Sequence, residues 1–369
     1  MINGEKHFSL YNNYTEALER LDTDGKKLIG YFTNRVPVEI IHALGLHPIR
    51  IVSIGITKTG ASEQYIQSFG CSWLRQIMDL ALSGGFRTLD GIIFSTGTCD
   101  SLQNVSDLWR KVFPTQWTYN LTFPVLTSTN AARSYLQTEF ENLIHSLYSK
   151  FVDSQHELKL VESIKLYNQK RVYFQKLASL VSLREILYFD LAKLLYLGDI
   201  LPIEEVLTLL EEYLQSLKEI DSSKIPQSPR LLVTGGMGVD NFDIWKIQGF
   251  NYIVADDLSF GTRNFNFVVP TGKFLEGLTQ TYMERIPDPT ALDMHERMQY
   301  LKKLIRDNQI DGVILLNTKW CDPEAFEFVH LQNKLKEMEI PSIIIETTPD
   351  LSNREQIHTK LAAFLELLS

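Results

Sequence analysis

Apolar positions along the chain fall into two alternating kinds of segment. Short apolar runs, KKLIGYF at 26–32, PIRIVSIG at 48–55, LDGIIFS at 89–95 and WTYNLTF at 117–123, read as strands, LDGIIFS as a buried one. Between them, apolar residues recur every three or four positions. In CSWLRQIMDLALSGG, residues Trp73, Leu74, Ile77, Leu80 and Ala81 share one helical face, and VSDLWRKVF reads as a further helix. Pro37 opens VEIIHAL and Gly45 ends it, which bounds a short helix. Strand and helix alternate throughout, and this predicts a parallel sheet covered on both faces.

The pattern then changes. From residue 125 to 197 there is neither Gly nor Pro, and Leu160, Ile164, Tyr167, Phe174 and Ala178 keep the helical period. IEEVLTLLEEYLQSLKEI repeats that period after Pro202, and DSSKIPQSPR at 221–230 reads as a linker. Alternation resumes with strand RLLVTGG, helix VDNFDIWKIQG, strand NYIVADD, helix YLKKLIRDNQ and strand DGVILLN. Helix EAFEFVHLQNKLKEME, strand IPSIIIET and helix EQIHTKLAAFLELLS close the chain. The expected organisation is an N-terminal α/β domain (1–125), a helical segment (126–225) and a C-terminal α/β domain (226–369). DGIIFSTGTCD at 90–100 and DGVILLNTKWCD at 311–322 echo one another, so the two α/β domains read as copies of one plan.

Composition narrows the function classes. With 369 residues and 44% hydrophobic content the chain can bury ordinary cores. A net charge of −9 argues against a broad nucleic-acid or anionic membrane surface, which leaves a protein or small molecule as partner. No apolar run reaches the length of about 18 residues that a membrane span needs, and the start MINGEKHFSL lacks the pattern of a secretion signal; the expected location is the cytoplasm.

The three cysteines, Cys71, Cys99 and Cys321, form no CxxC pair and are too few for a disulfide framework. Cys99 and Cys321 each stand just past a strand end, on the rim where parallel sheets bind ligands. Cys71 precedes a helix, whose dipole favours a thiolate. If the two rims face each other, three thiolates converge. Three readings are open: an iron–sulfur cluster with one iron free of protein ligand, three small buried hydrophobes, or a zinc site completed by one of eight histidines, none of which stands at a ligand spacing from a cysteine. Asp100 and Asp322 are placed to cap the helices that follow them or to tune a bound cluster. GGMG at 235–238 is an incomplete nucleotide loop and reads as a tight turn, and His42 as an ordinary helix residue.

Taken in order, several segments resemble the family of 2-hydroxyacyl-CoA dehydratase subunits, whose relatives include the smaller subunits of benzoyl-CoA reductases and double-cubane cluster proteins. PVEIIHALGLHPIRI resembles the family's opening segment through Pro37, Glu39, Ala43 and Gly45. CSWLRQIMDLAL, LDGIIFSTGTCDSLQNVSDLWR and KWCDPEAF carry the family cysteines. ESIKLYNQKR matches through Ile164, Tyr167, Asn168 and Arg171, and ADDLSFGTRNF and EQIHTKLAAFLELL match further segments. Lys360 replaces the usual Arg of the tail, losing its bidentate fork, and Thr348 stands where an Asp often follows the Ile-Glu pair.

The resemblance implies two Rossmann-like domains related by duplication with a helical insert between them. It implies one four-iron four-sulfur cluster held by Cys71, Cys99 and Cys321 with an open iron site, and it places Glu39 toward the cleft as a candidate for proton transfer, against plain complementation of a helix dipole. The implied enzyme is a lyase subunit, part of an anaerobic radical dehydratase. An electron injected by an ATP-dependent iron–sulfur activator protein makes a ketyl radical of an acyl-CoA substrate, and water is eliminated. The expected partner is a larger homologous subunit in a heterodimer, or a second copy of the chain. The alternatives are a benzoyl-CoA reductase-type or double-cubane-type reductase subunit, or a non-catalytic α/β binding protein with buried thiols.

Overall fold

The computed structural model describes residues 13–54, 60–97, 99–152, 157–217, 225–236, 240–286 and 294–369. The opening segment MINGEKHFSL, the DSSK part of the linker and Met237–Gly238 of GGMG lie outside the described residues.

Two four-stranded parallel sheets carry the fold. The first joins β1 (Leu28–Tyr31), β2 (His47–Arg50), β3 (Gly91–Thr96) and β4 (Trp117–Thr122) in the order β2-β1-β3-β4. The second joins β5 (Leu231–Gly235), β6 (Ile253–Leu258), β7 (Gly312–Thr318) and β8 (Ser342–Thr347) in the order β6-β5-β7-β8. The second order is the first with each number raised by four, so the duplicated α/β plan expected from the chain pattern is the observed architecture.

The repeated Asp-Gly has a physical role at the start of β3 and β7. Asp90 accepts a hydrogen bond from the Leu28 N–H at 2.9 Å and returns its own N–H to the Leu28 carbonyl at 2.9 Å. Asp311 does the same with Arg230, at 2.7 and 2.8 Å. Each glycine then lets a hydrophobic side chain close on the strand. A Cβ at Gly91 would stand 2.6 Å from the Trp117 ring, and one at Gly312 would stand 2.8 Å from a Leu368 methyl.

Two segments differ from the sequence reading. PIRIVSIG contributes only the short β2, and VDNFDIWKIQG forms a single 3-10 turn, Phe242–Lys246, in place of an α-helix. There the Asn241 side chain accepts the Asp243 N–H at 3.0 Å, an Asx turn that competes with helix propagation, and Ile247 is already extended.

Helices bind the two sheets into one body. The helix Tyr188–Ile200 is buried all round from Leu191 to Ile200, and its side chains join residues of both sheets in one core with Leu28, Phe94, Leu231 and Ile314. Helix Phe274–Met283 follows β6 in the chain, yet its Leu278 and Tyr282 pack with Ile29 and Ile93 of the first sheet. Among the described residues no helix is long and apolar enough to cross a membrane.

Candidate functional site

Each cysteine is the residue from which a helix starts. Cys71 caps Ser72–Leu82, Cys99 caps Asp100–Val112 and Cys321 caps Asp322–Glu337. The aspartates after Cys99 and Cys321 therefore occupy the first helical turn and are not the caps. There their charge still complements the helix dipole. None of the three side chains makes a capping hydrogen bond, but the first-turn N–H groups, Trp73 and Leu74 beside Cys71, Ser101 and Leu102 beside Cys99 and Glu324 beside Cys321, favour negative charge on each sulfur. Left-handed backbone precedes two of the three cysteines: Gly97, two residues before Cys99, adopts φ +80 with the Phe123 carbonyl oxygen 2.4 Å from where a Cβ would stand, and Trp320 adopts φ 63 just before Cys321.

The three cysteines line one pocket, with Phe32, Trp73, Leu74, Leu102, Phe260 and Pro323 among its walls. Both α/β halves supply it. Asn34, from the turn after β1, donates its side-chain amide to the Ser259 carbonyl at 2.6 Å, and both residues line the pocket. The Ser72 N–H donates to the Lys319 carbonyl at 3.0 Å, linking the Cys71 and Cys321 turns directly.

Burial governs the thiols in the absence of a bound cation. It pushes Cys71 up to about 12, raises Cys99, and raises Cys321 well above its ordinary value; the helix N–H groups oppose this and are outweighed. The helix dipole alone therefore does not make Cys71 a thiolate. Cys321 feels Glu324, Cys71 and Cys99, so the three sulfurs lie within electrostatic reach of one another. Glu324 is itself buried and accepts the Thr318 N–H at 2.8 Å.

The donor set discriminates among metal groups. Among the described residues no three His, Cys, Asp or Glu side chains converge tightly enough for a single metal ion, and no histidine lines the pocket, so the three-cysteine, one-histidine zinc reading lacks its ligand set there. A cluster holds its thiolates on separate irons and farther apart than ligands sharing one ion. Three thiols at helix starts, a mostly apolar wall and no competing carboxylate in the lining fit an iron–sulfur cluster with one position left to a non-protein ligand.

Glu39 is elsewhere. Its carboxylate is fully buried, ion-paired with Arg171 and accepting the Tyr282 hydroxyl at 2.9 Å, and it does not line the cysteine pocket. Burial pushes its carboxyl up, but the Arg171 guanidinium and the Tyr282 hydroxyl outweigh it and hold it below the usual range. Two recognised segments, PVEIIHALG and ESIKLYNQKR, thus meet in one ion pair.

ADDLSFGTRNF is a built turn. Asp256 accepts the N–H groups of Leu258 and Thr262 at 3.0 and 2.8 Å, and a Cβ on Gly261 would fall 1.9 Å from its carboxylate. Asp257 pairs with Arg263 at 3.2 Å and Arg297 at 3.1 Å. The turn's product is the placement of Ser259 and Phe260 at the pocket. Sequence reasoning missed Asn34 and Phe260; the one signal for them was their position in turns just past a strand end, β1 for Asn34 and β6 for Phe260.

His42 is an ordinary helix residue bonded to the Ser163 hydroxyl at 3.0 Å. Lys360 is exposed, and Thr348 makes a side-chain contact with Ser352 at 3.2 Å.

Comparison with known proteins agrees with the motif reading. The sequence profile of 2-hydroxyglutaryl-CoA dehydratase, D-component, matches residues 33–368. The chain is 24% identical to the (R)-phenyllactyl-CoA dehydratase beta subunit of Clostridium sporogenes over the whole of both chains. It is 26% identical to one of the subunits of benzoyl-CoA reductase from Thauera aromatica, covering 96% of this chain and 94% of that one. It is 23% identical to the beta subunit of (R)-2-hydroxyglutaryl-CoA dehydratase from Acidaminococcus fermentans, covering 95% of each. All three relatives are named as enzyme subunits. With the profile spanning nearly its full length, the chain belongs to the 2-hydroxyglutaryl-CoA dehydratase D-component family.

Proposed function

We propose that this chain is the iron–sulfur subunit of a 2-hydroxyacyl-CoA dehydratase, acting with a homologous partner subunit and an ATP-dependent activator protein. The observation that carries the reading is the meeting of three cysteines, each at the start of its own helix, in one pocket between the two α/β halves. Cys71, Cys99 and Cys321 would hold a four-iron four-sulfur cluster, which supplies one-electron transfer at low potential and an open iron site.

The chain's own residues support that role physically. Deprotonating buried thiols is costly, so bound iron must supply the charge that keeps them as thiolates, while the positive ends of three helices favour negative charge at the sulfurs. Phe32, Leu74, Leu102 and Phe260 keep bulk water from the pocket. Asn34 and Ser259 hold its two halves in register. The fixed ion pair of Glu39 with Arg171 favours a structural role for that carboxylate over proton transfer.

A second reading, a subunit of an ATP-dependent reductase, is favoured by the benzoyl-CoA reductase relative, whose 26% identity is no lower than that of the dehydratase subunits. One assay separates the two. The chain, its co-purified partner and activator are given a 2-hydroxyacyl-CoA under anaerobic conditions and electrons are counted per product. A dehydratase forms many enoyl-CoA products per electron. Consumption of electrons in proportion to product supports the reductase, and no turnover of any acyl-CoA contradicts both.

A further inference from the structure

We propose that Asp240, Arg50 and Trp73 form a buried charge relay that sets the reduction potential of the group held by the three cysteines; this rests on the iron–sulfur reading above. Trp73 lines the cysteine pocket in the first turn of the helix that starts from Cys71, and its indole N–H donates to Asp240 Oδ2 at 2.6 Å. The same oxygen accepts the Ser53 N–H at 3.1 Å, while Oδ1 pairs with Arg50. The Arg50 guanidinium lies 3.7 Å from the centroid of the Phe260 ring, which is itself a pocket wall. Two residues of the wall are thus backed by a carboxylate and a cation.

The chain of charge continues inward. Arg50 stands 3.7 Å from Asp199, and Asp199 pairs with Lys170 at 3.2 Å. All four charged side chains are nearly sealed from water, with 7% exposure at Arg50, 1% at Asp240, 2% at Asp199 and 11% at Lys170. Two cations balance two carboxylates. Such a set is a poor stabiliser, because desolvating each ion costs about as much as pairing returns and apolar replacements are often as stable. Its electrostatic reach is longer inside the protein than in water. Cluster potentials respond to nearby charge, and this relay stands directly behind two residues of the pocket wall.

Balance makes the test directional. Asp240→Asn removes one negative charge and leaves Arg50 in excess, so the midpoint potential rises. Trp73→Phe keeps the ring but removes the donor to Asp240, leaving that carboxylate less compensated, so the potential falls. Both variants and the parent are purified anaerobically, iron and sulfide are counted, and the potential is read by a redox titration followed by electron paramagnetic resonance. Shifts of opposite sign at unchanged iron content are the expected result. Full iron content with unmoved potentials, or shifts of one sign, overturns the relay while leaving the cluster reading intact; parent protein without iron overturns the cluster reading instead. If Asp240→Asn fails to fold, Trp73→Phe alone decides, since an unmoved or raised potential, or loss of iron, contradicts the relay.

Discussion

Ser72 donates its backbone N–H to the carbonyl oxygen of Lys319 at 3.0 Å, joining the residue after Cys71 to the turn that delivers Cys321. Ser72 is the first residue of its helix, where proline is tolerated because that N–H has no intrahelical partner. Ser72→Pro therefore removes this bond between the halves and leaves the helix in place. The expected loss is about 1 kcal/mol of stability in chemical denaturation, with faster release of iron to a chelator. Iron release at the parent rate would show that the bond does not hold the two cysteine turns together.

Glu39 and Arg171 join helix Val38–Ala43 to helix Leu160–Ser182 through a pair sealed from solvent. Glu39→Gln leaves the guanidinium without its counter-charge, at an expected cost of about 3 kcal/mol. The double change Glu39→Leu with Arg171→Met removes both charges and recovers a large part of that loss. A Glu39→Gln protein as stable as the parent but inactive would return Glu39 to a catalytic role.

Gly261→Ala places a Cβ against the Asp256 carboxylate, which must then release the Thr262 and Leu258 N–H groups. A loss on the order of 2 kcal/mol follows for a strained turn with a broken buried bond. Because the turn presents Phe260 and Ser259 to the pocket, iron content falls as well. A variant with parent stability and full iron would contradict the role given to the motif.

Acid sensitivity has a specific source in His47. Burial holds this imidazole near a pKa of about 4 against an ordinary 6.5, and its Nε2 donates to the Ile200 carbonyl at 2.8 Å. The unfolded chain takes up this proton first as pH falls, so stability is full above 6.5 and is lost progressively between 6.5 and 4, by about 3 kcal/mol. His47→Gln keeps a donor for Ile200 and does not titrate. Denaturant curves at pH 7 and 5 should show a smaller loss in the variant than in the parent; equal losses would assign the acid sensitivity to other groups.

The fold was legible where local chemistry decides it. Runs such as GIIFST and GVILLNT can bury both faces only in a covered parallel sheet, and the Asp-Gly and Cys-Asp echoes marked equivalent strand starts and ends. The 3-10 turn at Phe242–Lys246 escaped because an Asx turn at Asn241 overrides an apolar pattern that is correct for a helix. Helix Phe274–Met283 was not read from the sequence, and nothing in its apolar face tells that it covers the first half.

At the site, the cysteines were legible as strand-end and helix-start residues. Their surroundings were not. Asp240 reaches Trp73 and Arg50 across sequence separations of 167 and 190, and no local pattern encodes such pairings. The dipole argument for Cys71 was sound in sign but too small, because desolvation of a buried thiol exceeds the effect of two N–H groups.

Iron and acid-labile sulfide counts on anaerobically purified protein, with and without Cys99→Ala, test the central claim most directly. The account predicts about four irons and four sulfides per chain, falling to a small fraction in the variant while the fold persists. Parent protein that is colourless and free of iron, or a variant that keeps its full iron content, would contradict it.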